Sequence, residues 1–391
     1  MRGLSVALLA SVLAAGWGGA LASADAGAGN GYYWVFVDEQ PGGKGIGAFT
    51  VATGPDYPAG AGRAMLFGGE TGDAWSSYTT VRSYTTGTDY VQTLGGASSG
   101  FLVEPMDAYG SVSPIGATGY RTTYELPGAG ETADTLRIVS EVNVNGASLA
   151  GSSVEITTTV TNLDPYPVSA GVRYLLDLKL AEDDGPTLAA VNPTQQPLET
   201  EASYPRPGFA GWRSEDNTLS APTLSVFGTA SAGYPGIVPA STAPDLLQFV
   251  YWPEAYGVAF DYTTAGRDVA SPAGLDDSAV LYYFGSSEGS AIRLDPQQSV
   301  TVSVSLFASP PGLGPEVCDN GADDDGDRLA DGADADCRLS PSPTLTPISP
   351  PATGSGPGDG LPGQPALWLA GGAALLGLVR VVRWRRARAG R

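Results

Sequence analysis

Residues 300–306 read Val300-Thr301-Val302-Ser303-Val304-Ser305-Leu306, with an apolar side chain at every second position. Side chains of a β-strand point alternately to its two faces, so this stretch predicts a strand with one face on a core and one in water. Residues 154–160, Val-Glu-Ile-Thr-Thr-Thr-Val, show nearly the same alternation. Such patterning is typical of antiparallel sheets.

Further strand-like runs extend this pattern in both directions along the chain, and residues 31–312 contain no sustained apolar repeat of helical period. Asn145-Gly146 lies between two of the runs and predicts a hairpin. The sequence therefore predicts an all-β protein with a large antiparallel β-sandwich ectodomain over residues 25–312. The length leaves two fused sandwiches open as an alternative. The additional runs are Tyr32–Val37, Ile138–Val144, Val172–Leu180, Leu247–Trp252 and Val280–Phe284.

The composition excludes several kinds of chemistry. The 391 residues include 20 Lys and Arg, 41 Asp and Glu and no His, for a net charge of −21. Without His, Ser-His-Asp catalysis, Cys-His catalysis and His-ligated metal sites are excluded. The acidity argues against a nucleic-acid partner. The two G-x-S-x-G stretches at 96–100 and 285–289 are accordingly interpreted as loops.

Sequence features at both ends of the chain predict that the protein is exported from the cytoplasm. Residues 1–24 have the basic start, apolar run and Ala-Ser-Ala cleavage site of a secretory signal peptide. Residues 365–382 are apolar and predict one C-terminal transmembrane helix, followed by a basic cytoplasmic tail at 383–391. We therefore expect an extracellular, cell-surface protein that is anchored in the cell membrane or wall by its C-terminus.

Residues 339–364, rich in Pro, Ser, Thr and Gly, predict a disordered extended stalk. Within this stretch, residues 350–354 read Pro-Pro-Ala-Thr-Gly and resemble the bacterial sorting signal L-P-x-T-G, with Pro in place of Leu. The resemblance implies a sorting transpeptidase as partner and cleavage between Thr353 and Gly354. Retention as a membrane anchor explains the same residues.

An aspartate-rich module, residues 313–338, precedes the stalk and predicts a calcium site. Read from Asp323, acidic residues occupy positions 1, 3, 5, 9 and 12, which is the spacing of an EF-hand loop. The predicted Ca²⁺ ligands are the carboxylates of Asp323, Asp325, Asp327, Asp331 and Asp334 and the carbonyl of Leu329. A solvated acidic linker is the alternative.

The only two cysteines, Cys318 and Cys337, bracket this loop, and in an exported chain they predict a disulfide. The segment resembles the calcium loops of thrombospondin type 3 repeats. It departs from them at Arg328, where Gly is usual, so that Arg328 must either adopt positive φ or distort the turn. This departure predicts weak, extracellular-range affinity for Ca²⁺.

Carboxylates elsewhere could serve a glycosidase, which needs only Asp and Glu. Arg173, Asp177 and Lys179 alternate on one face of a predicted strand, as a cross-strand salt-bridge cluster or as a ligand or second cation site. Aromatic clusters such as Tyr251-Trp252 predict core packing, with a solvent-facing subset able to stack on sugars. The candidate acids are Asp177, Glu182, Asp183, Asp184, Asp261, Asp276 and Asp277.

Two runs carry a resemblance to uncharacterised exported bacterial β-proteins. They are Gly171-Val172-Arg173-Tyr174-Leu175-Leu176-Asp177 with Asp183-Asp184-Gly185, and Asp277-Ser278-Ala279-Val280. Length and strand content also resemble the galactose-mutarotase-like supersandwich over residues 31–310. Mutarotases use His with Glu, so the resemblance implies that fold without its activity.

Together these observations predict a non-catalytic, structural or ligand-binding surface protein with a Ca²⁺-binding loop. The expected partners are the membrane and a surface glycan or cell-wall polymer. The alternative is a carboxylate-dependent carbohydrate-active enzyme at the cell surface. The lack of His and of a nucleophile with a usable base favours the first interpretation.

Overall fold

A computed structural model describes the protein at residues 26–40, 45–92, 96–98, 100–126, 135–191, 197–216, 222–232, 234, 236–269, 277–309, 321–323, 328 and 330. The predicted signal peptide, stalk, C-terminal anchor and basic tail lie outside these residues. In the described part of the chain, no helix is long and apolar enough to cross a membrane.

The described residues form nineteen strands, one 3₁₀ turn at Asp107–Tyr109 and one short helix, α1, at Trp252–Tyr256. This confirms an almost entirely β chain. The strands are β1 Ala26–Gly29, β2 Tyr33–Val37, β3 Phe49–Thr53, β4 Tyr78–Ser83, β5 Thr88–Val91, β6 Leu102–Pro105, β7 Gly110–Ile115, β8 Gly119–Leu126, β9 Leu136–Asn145, β10 Ser153–Asn162, β11 Val168–Leu178, β12 Thr187–Val191, β13 Ala202–Pro205, β14 Gly211–Glu215, β15 Ser225–Thr229, β16 Leu246–Tyr251, β17 Ser278–Phe284, β18 Ile292–Leu294 and β19 Ser299–Ser309.

The strands form two large sheets and a small one. The first sheet has the order β12-β14-β15-β19-β10-β9-β8-β7 and is antiparallel throughout. The second has the order β13-β16-β17-β11-β4-β5-β6, with β18 added beside β11. Only β5 and β6 pair in parallel. Strands β1, β2 and β3 form the third sheet.

The two alternating stretches are neighbours at the centre of the first sheet. Ile156 lies opposite Val304 and Val160 opposite Val300, so their apolar side chains share one face. Gly146, with φ of 86°, begins the connection from β9 to β10 and confirms the hairpin. The predicted runs thus become strands whose period-two pattern sets which face is buried.

One apolar core joins the two large sheets, which establishes a single sandwich rather than two. Tyr174 on β11 of the second sheet donates from its hydroxyl to the carbonyl of Val302 on β19 of the first, at 3.1 Å. Trp212 on β14 likewise donates to the hydroxyl of Tyr282 on β17. All four residues lie within the contact region between the sheets, and their side chains are fully buried or nearly so.

The opposite face of the second sheet is also covered. A smaller apolar cluster lies there and includes Tyr78, Leu175, Leu281 and Phe260. Residues 252–262, which begin with α1 and are called the cover segment below, contribute several of its members. The second sheet is therefore buried on both faces along β4, β11 and β17, and polar side chains on its outer face are removed from water.

Candidate active site

Strand β11 carries the first elements of the site. The period-two alternation predicts that Arg173, Asp177 and Lys179 lie on one face of β11. Leu175, which shares that face, belongs to the apolar cluster under the cover segment. Tyr174 and Leu176 point the other way, into the core of the sandwich. The charged side chains of β11 therefore lie on the outer face of the second sheet.

Two neighbouring strands bring further polar residues to the same place. Strand β11 pairs with β4 and β17, so that Tyr78 lies opposite Leu175 and Ala279 lies opposite Asp177. Ser76 and Asp277, two residues before Tyr78 and Ala279, share their face by alternation. Asp184 follows in the turn after β11, where Leu180 pairs with Asp183. We call Asp177, Asp184 and Asp277 the acid cluster.

Burial controls the chemistry of the acid cluster. Asp177 is 1% exposed. Desolvation and then the nearby Asp277 raise the pKa of Asp177 well above its ordinary value. One carboxylate oxygen of each of the three acids is buried without a hydrogen-bond partner among the described residues. Because buried polar atoms are nearly always paired in proteins, three such atoms at one place indicate a functional site.

The other two acids are less deeply buried and reach solvent. Burial, with a contribution from Asp184, raises the pKa of Asp277 to about 7. Burial also raises the pKa of Asp184, and the ammonium of Lys179 opposes that rise. At neutral pH the carboxyl group of Asp277 is therefore present in both its protonated and its ionised form.

Lys179 is the cation of this region, and it already has a partner. Its Nζ lies 2.6 Å from Oε1 of Glu70 and 5.1 Å from the centre of the Phe67 ring. Within the described part of the chain, neither Arg173 nor Asp177 forms an ion pair. The salt-bridge interpretation of this strand face thus accounts for Lys179 and does not account for Asp177.

Aromatic rings border the acid cluster. Trp75 meets Trp252 edge to face at 5.7 Å and Tyr256 at 5.9 Å between ring centres. Trp252 and Tyr256 are stacked at 4.9 Å. We call these three half-buried rings the aromatic platform. The backbone N–H of Trp252 donates to the carbonyl of Asp277 at 2.9 Å, which fixes the platform beside the acids.

The remaining candidate acids lie apart from the cluster or have other partners. Glu182 is exposed, and Asp183 accepts the N–H of Gly185 at 3.2 Å. Asp261 is 51% exposed and pairs with Arg82 at 2.7 Å. Asp276 lies outside the described residues. In the second G-x-S-x-G stretch, the Ser287 hydroxyl contacts that of Ser290, as expected of a loop.

The calcium loop is described at few positions. Asp323 is the one predicted ligand among them, and it accepts the N–H of Arg328 at 2.9 Å. Arg328 adopts φ of 70°, which is the first of the two outcomes expected at this position of the loop. No group of three potential metal ligands occurs in the described part of the chain. Outside the described residues lie Asp325, Asp327, Leu329, Asp331, Asp334, Cys318, Cys337, Thr353 and Gly354.

Sequence reasoning missed Trp75, Tyr256 and Phe67 as parts of a site. Trp252 was recognised only as a member of an aromatic pair. Pro253 directly after Trp252, at the start of a helix in an otherwise all-β chain, was the available signal. Trp75 is separated from Trp252 by more than 170 residues, and only the strand order β17-β11-β4 in the second sheet brings them together.

No family model matches this sequence, and no curated protein matches it significantly. Among solved structures, a proposed aldose 1-epimerase of Escherichia coli K12 is 13% identical, with 72% of this chain and 98% of that chain covered and a TM-score of 0.43. A galactose mutarotase-like protein of Lactobacillus casei is 8% identical, with 72% and 99% covered and a TM-score of 0.41. A galactose mutarotase-like protein of Clostridium acetobutylicum is 9% identical, with 71% and 95% covered and a TM-score of 0.36.

The similar structures are therefore mutarotase-like, in line with the loose resemblance seen in the sequence. They also correct one expectation. The prediction of a non-catalytic structural or ligand-binding protein is wrong, because these neighbours are described as aldose 1-epimerases and mutarotase-like proteins. The alternative of a carboxylate-dependent carbohydrate-active enzyme is better supported. Identities of 8–13% leave the substrate and the reaction open.

Proposed function

We propose that this protein is a carboxylate-dependent carbohydrate-active enzyme that cleaves a glycosidic bond. The observation that carries the proposal is the acid cluster, with three buried carboxylate oxygens that lack partners among the described residues, next to the aromatic platform. A glycosidase needs one protonated carboxyl group to donate to the leaving oxygen and one ionised carboxylate on the other side of the bond.

Asp277 is the proton donor in this proposal. Its pKa of about 7 keeps the carboxyl group protonated at mildly acidic pH, and its partial exposure lets a substrate reach it. Asp184 is the second carboxyl group in this proposal. Burial raises its pKa, and the ammonium of Lys179 opposes that rise by favouring the charged form.

Asp177 supports this pair without touching substrate. Its side chain is fully enclosed, and its backbone is fixed on both sides. The N–H of Asp177 donates to the hydroxyl of Ser77 at 3.0 Å. The carbonyl of Asp177 accepts from the N–H of Phe67 at 3.0 Å. Burial favours the uncharged form of a carboxyl group held there, which reduces the negative charge beside the other two acids.

The aromatic platform supplies the sugar-binding surface. Rings of Trp and Tyr bind the apolar C–H faces of sugars while their polar edges donate hydrogen bonds. Nε1 of Trp252 is buried and has no acceptor among the described residues, so it is free to donate to a sugar hydroxyl. Binding and catalysis would thus use adjacent groups on one face of the second sheet.

The expected place of this enzyme is the cell surface. The signal-like N-terminus, the apolar C-terminal run and the basic tail support export and anchoring, with a sorting transpeptidase acting after Thr353 as the alternative to membrane retention. The aspartate spacing supports Ca²⁺ binding between the sandwich and the stalk. Calorimetric titration of the exported protein with CaCl₂ tests this part, and no heat at 10 mM would remove it.

The catalytic proposal is tested by reducing-sugar release from a panel of polysaccharides and by hydrolysis of 4-nitrophenyl glycosides. We expect Asp277→Asn and Asp184→Asn each to lower kcat by about 10³-fold or more, because each removes one of the two essential carboxyl roles. Asp295→Asn is the control. It changes an exposed acid that pairs with Arg293, outside the acid cluster and the cover segment, and we expect activity within about twofold of the parent protein.

Two results would contradict the proposal. One is an Asp277→Asn protein that keeps the parent rate on a substrate that the parent turns over. The other is a failure of the folded parent protein to act on any glycan of the panel between about pH 4 and pH 8, a range that includes the pKa of Asp277 of about 7.

A further inference from the structure

Arg173 is a buried arginine that the reaction outlined above does not use. It lies on β11, four residues before Asp177 and on the same face. Nη2 of its guanidinium donates to the carbonyl of Ala255 at 3.0 Å. Nη1 donates to the carbonyls of Val258 and, at 3.4 Å, Phe260. All of these acceptors are backbone atoms of the cover segment.

The cover segment needs such an anchor. Its helix α1 has five residues and no side-chain cap at its N-terminus, which is too short for independent stability. Yet α1 carries Trp252 and Tyr256, two of the three rings of the aromatic platform. Other described residues also hold the backbone of the cover segment. Ala97 donates to the carbonyl of Gly257 and accepts from the N–H of Ala259, both at 3.0 Å, and the Tyr283 hydroxyl donates to the carbonyl of Phe260 at 2.9 Å.

Arginine suits this role better than any other side chain. The guanidinium is planar and presents several donors in a fixed geometry, so it can hold carbonyls from successive residues at once. Its positive charge also lies against the carbonyl end of α1, where the helix dipole is negative. Lysine has a single nitrogen and cannot hold the same set of acceptors in one orientation.

From this geometry we propose that Arg173 is a positioning residue, which sets the distance between the aromatic platform and the acid cluster. One strand, β11, then carries both Asp177 and the group that orients Trp252 and Tyr256. The proposal rests on the proposed function for its consequence in catalysis. The anchoring itself is a property of the protein without substrate and can be measured alone.

The first measurement uses the free protein. Full-length protein is labelled with 5-fluorotryptophan, and the resonance of Trp252 is assigned by its loss in Trp252→Phe. We expect Arg173→Lys to shift and broaden this ¹⁹F resonance and to leave that of Trp212 in the sandwich core unchanged. Arg63→Lys is the control, because the Arg63 guanidinium also donates to a carbonyl and a carboxylate, those of Thr223 and Asp216, and both lie outside the cover segment. An unchanged Trp252 resonance in Arg173→Lys would overturn the proposal.

The second measurement uses the 4-nitrophenyl glycoside that the parent protein hydrolyses fastest. Arg173→Lys should raise KM by about tenfold, because the platform binds the sugar, while kcat stays within about threefold and the pH profile keeps its midpoints. A purely structural role would lower kcat and stability together and leave KM unchanged, and that result would also overturn the proposal. If the parent has no activity, the proposed function fails, and the fluorine measurement still decides the role of Arg173.

A third variant covers the case in which Arg173→Lys does not fold. Ala97 has an exposed side chain, and Ala97→Pro removes only the N–H that donates to Gly257. We expect a smaller shift of the Trp252 resonance and a rise in KM of about threefold, because one of the attachments is lost. Parent-like values for both quantities would show that the attachments of the cover segment do not set the platform, and would overturn the proposal.

Discussion

The two faces of β11 are both buried, but they differ in whether their buried polar side chains have hydrogen-bond partners. On the inner face, Tyr174 places its hydroxyl on the carbonyl of Val302, and the other large polar side chains of the core have similar partners. On the outer face, the Tyr78 hydroxyl, one oxygen of Asp177 and Nε1 of Trp252 have none among the described residues. Strand β11 thus separates a core whose large polar side chains are paired from an outer face on which several are not.

The difference indicates where the protein gives up stability for function. A buried polar atom without a partner costs about 1–3 kcal/mol, and a folded chain keeps several of them in one place only when something else uses them. The inner face has the pairing expected of a scaffold. The outer face has the pairing expected of a site that another molecule completes. Three pairs of substitutions can break or sharpen this contrast.

The largest effect is expected for the two tryptophans. Trp212 is fully buried between the sheets, so Trp212→Ala should lower the free energy of unfolding by about 3–5 kcal/mol through the cavity it leaves. Trp252→Ala should cost about 1 kcal/mol or less, since its ring is half-exposed. Urea unfolding of both proteins measures the difference. Equal losses would show that the outer face is as much a scaffold as the inner one.

The second effect concerns pH. The pKa of Asp277 is raised from 3.8 to about 7 in the folded protein, so its contribution to stability is fully present below about pH 4 and is lost as the pH rises to about 7. Asp277→Asn should therefore raise the free energy of unfolding at pH 8 by about 1–3 kcal/mol, a figure lowered for the solvent that reaches this carboxyl group. Urea unfolding between pH 4 and pH 8 measures the slope. An unaltered slope in Asp277→Asn would contradict the assignment.

The smallest effect is expected for a pair of tyrosine hydroxyls. Both Tyr174 and Tyr78 are fully buried, and they differ in that only the first hydroxyl has a partner. Tyr174→Phe should cost about 1 kcal/mol, because it leaves the carbonyl of Val302 unpaired. Tyr78→Phe should change stability by less than about 0.5 kcal/mol or increase it. An equal loss of stability for the two variants in thermal unfolding would contradict this difference between the two faces of the sheet.

The fold could be predicted from sequence to a useful degree because its signal is local. Period-two alternation at 154–160 and 300–306 sets which face of each strand is buried, and Asn145-Gly146 marks a turn through two residues. The same alternation correctly placed Arg173 and Asp177 on one face. None of this information depends on which strands are neighbours.

The site could be predicted only in part because it depends on strand order. Asp177, Asp184 and Asp277 were among seven candidate acids. The sequence does not indicate, however, that β11 lies between β17 and β4 in the second sheet. Trp75 and Trp252 meet only through that order. The function was misjudged for a related reason, since the absence of His was weighed more heavily than acids that had not yet been brought together.

Arg328 has a mechanical consequence for a chain tethered by its C-terminus. Its guanidinium donates to the carbonyls of Ser152 at 2.7 Å and Gly236 at 3.3 Å and lies 4.1 Å from the centre of the Phe307 ring. A force applied to the C-terminal segment would therefore act on the contacts of Arg328 before it acts on β19. Because β19 is hydrogen-bonded to β10 on one side and to β15 on the other, a load along it would have to shear two rows of bonds at once. In a chain anchored by its C-terminus, as proposed above, the contacts of Arg328 and the two-sided pairing of β19 would together resist a load applied from that end.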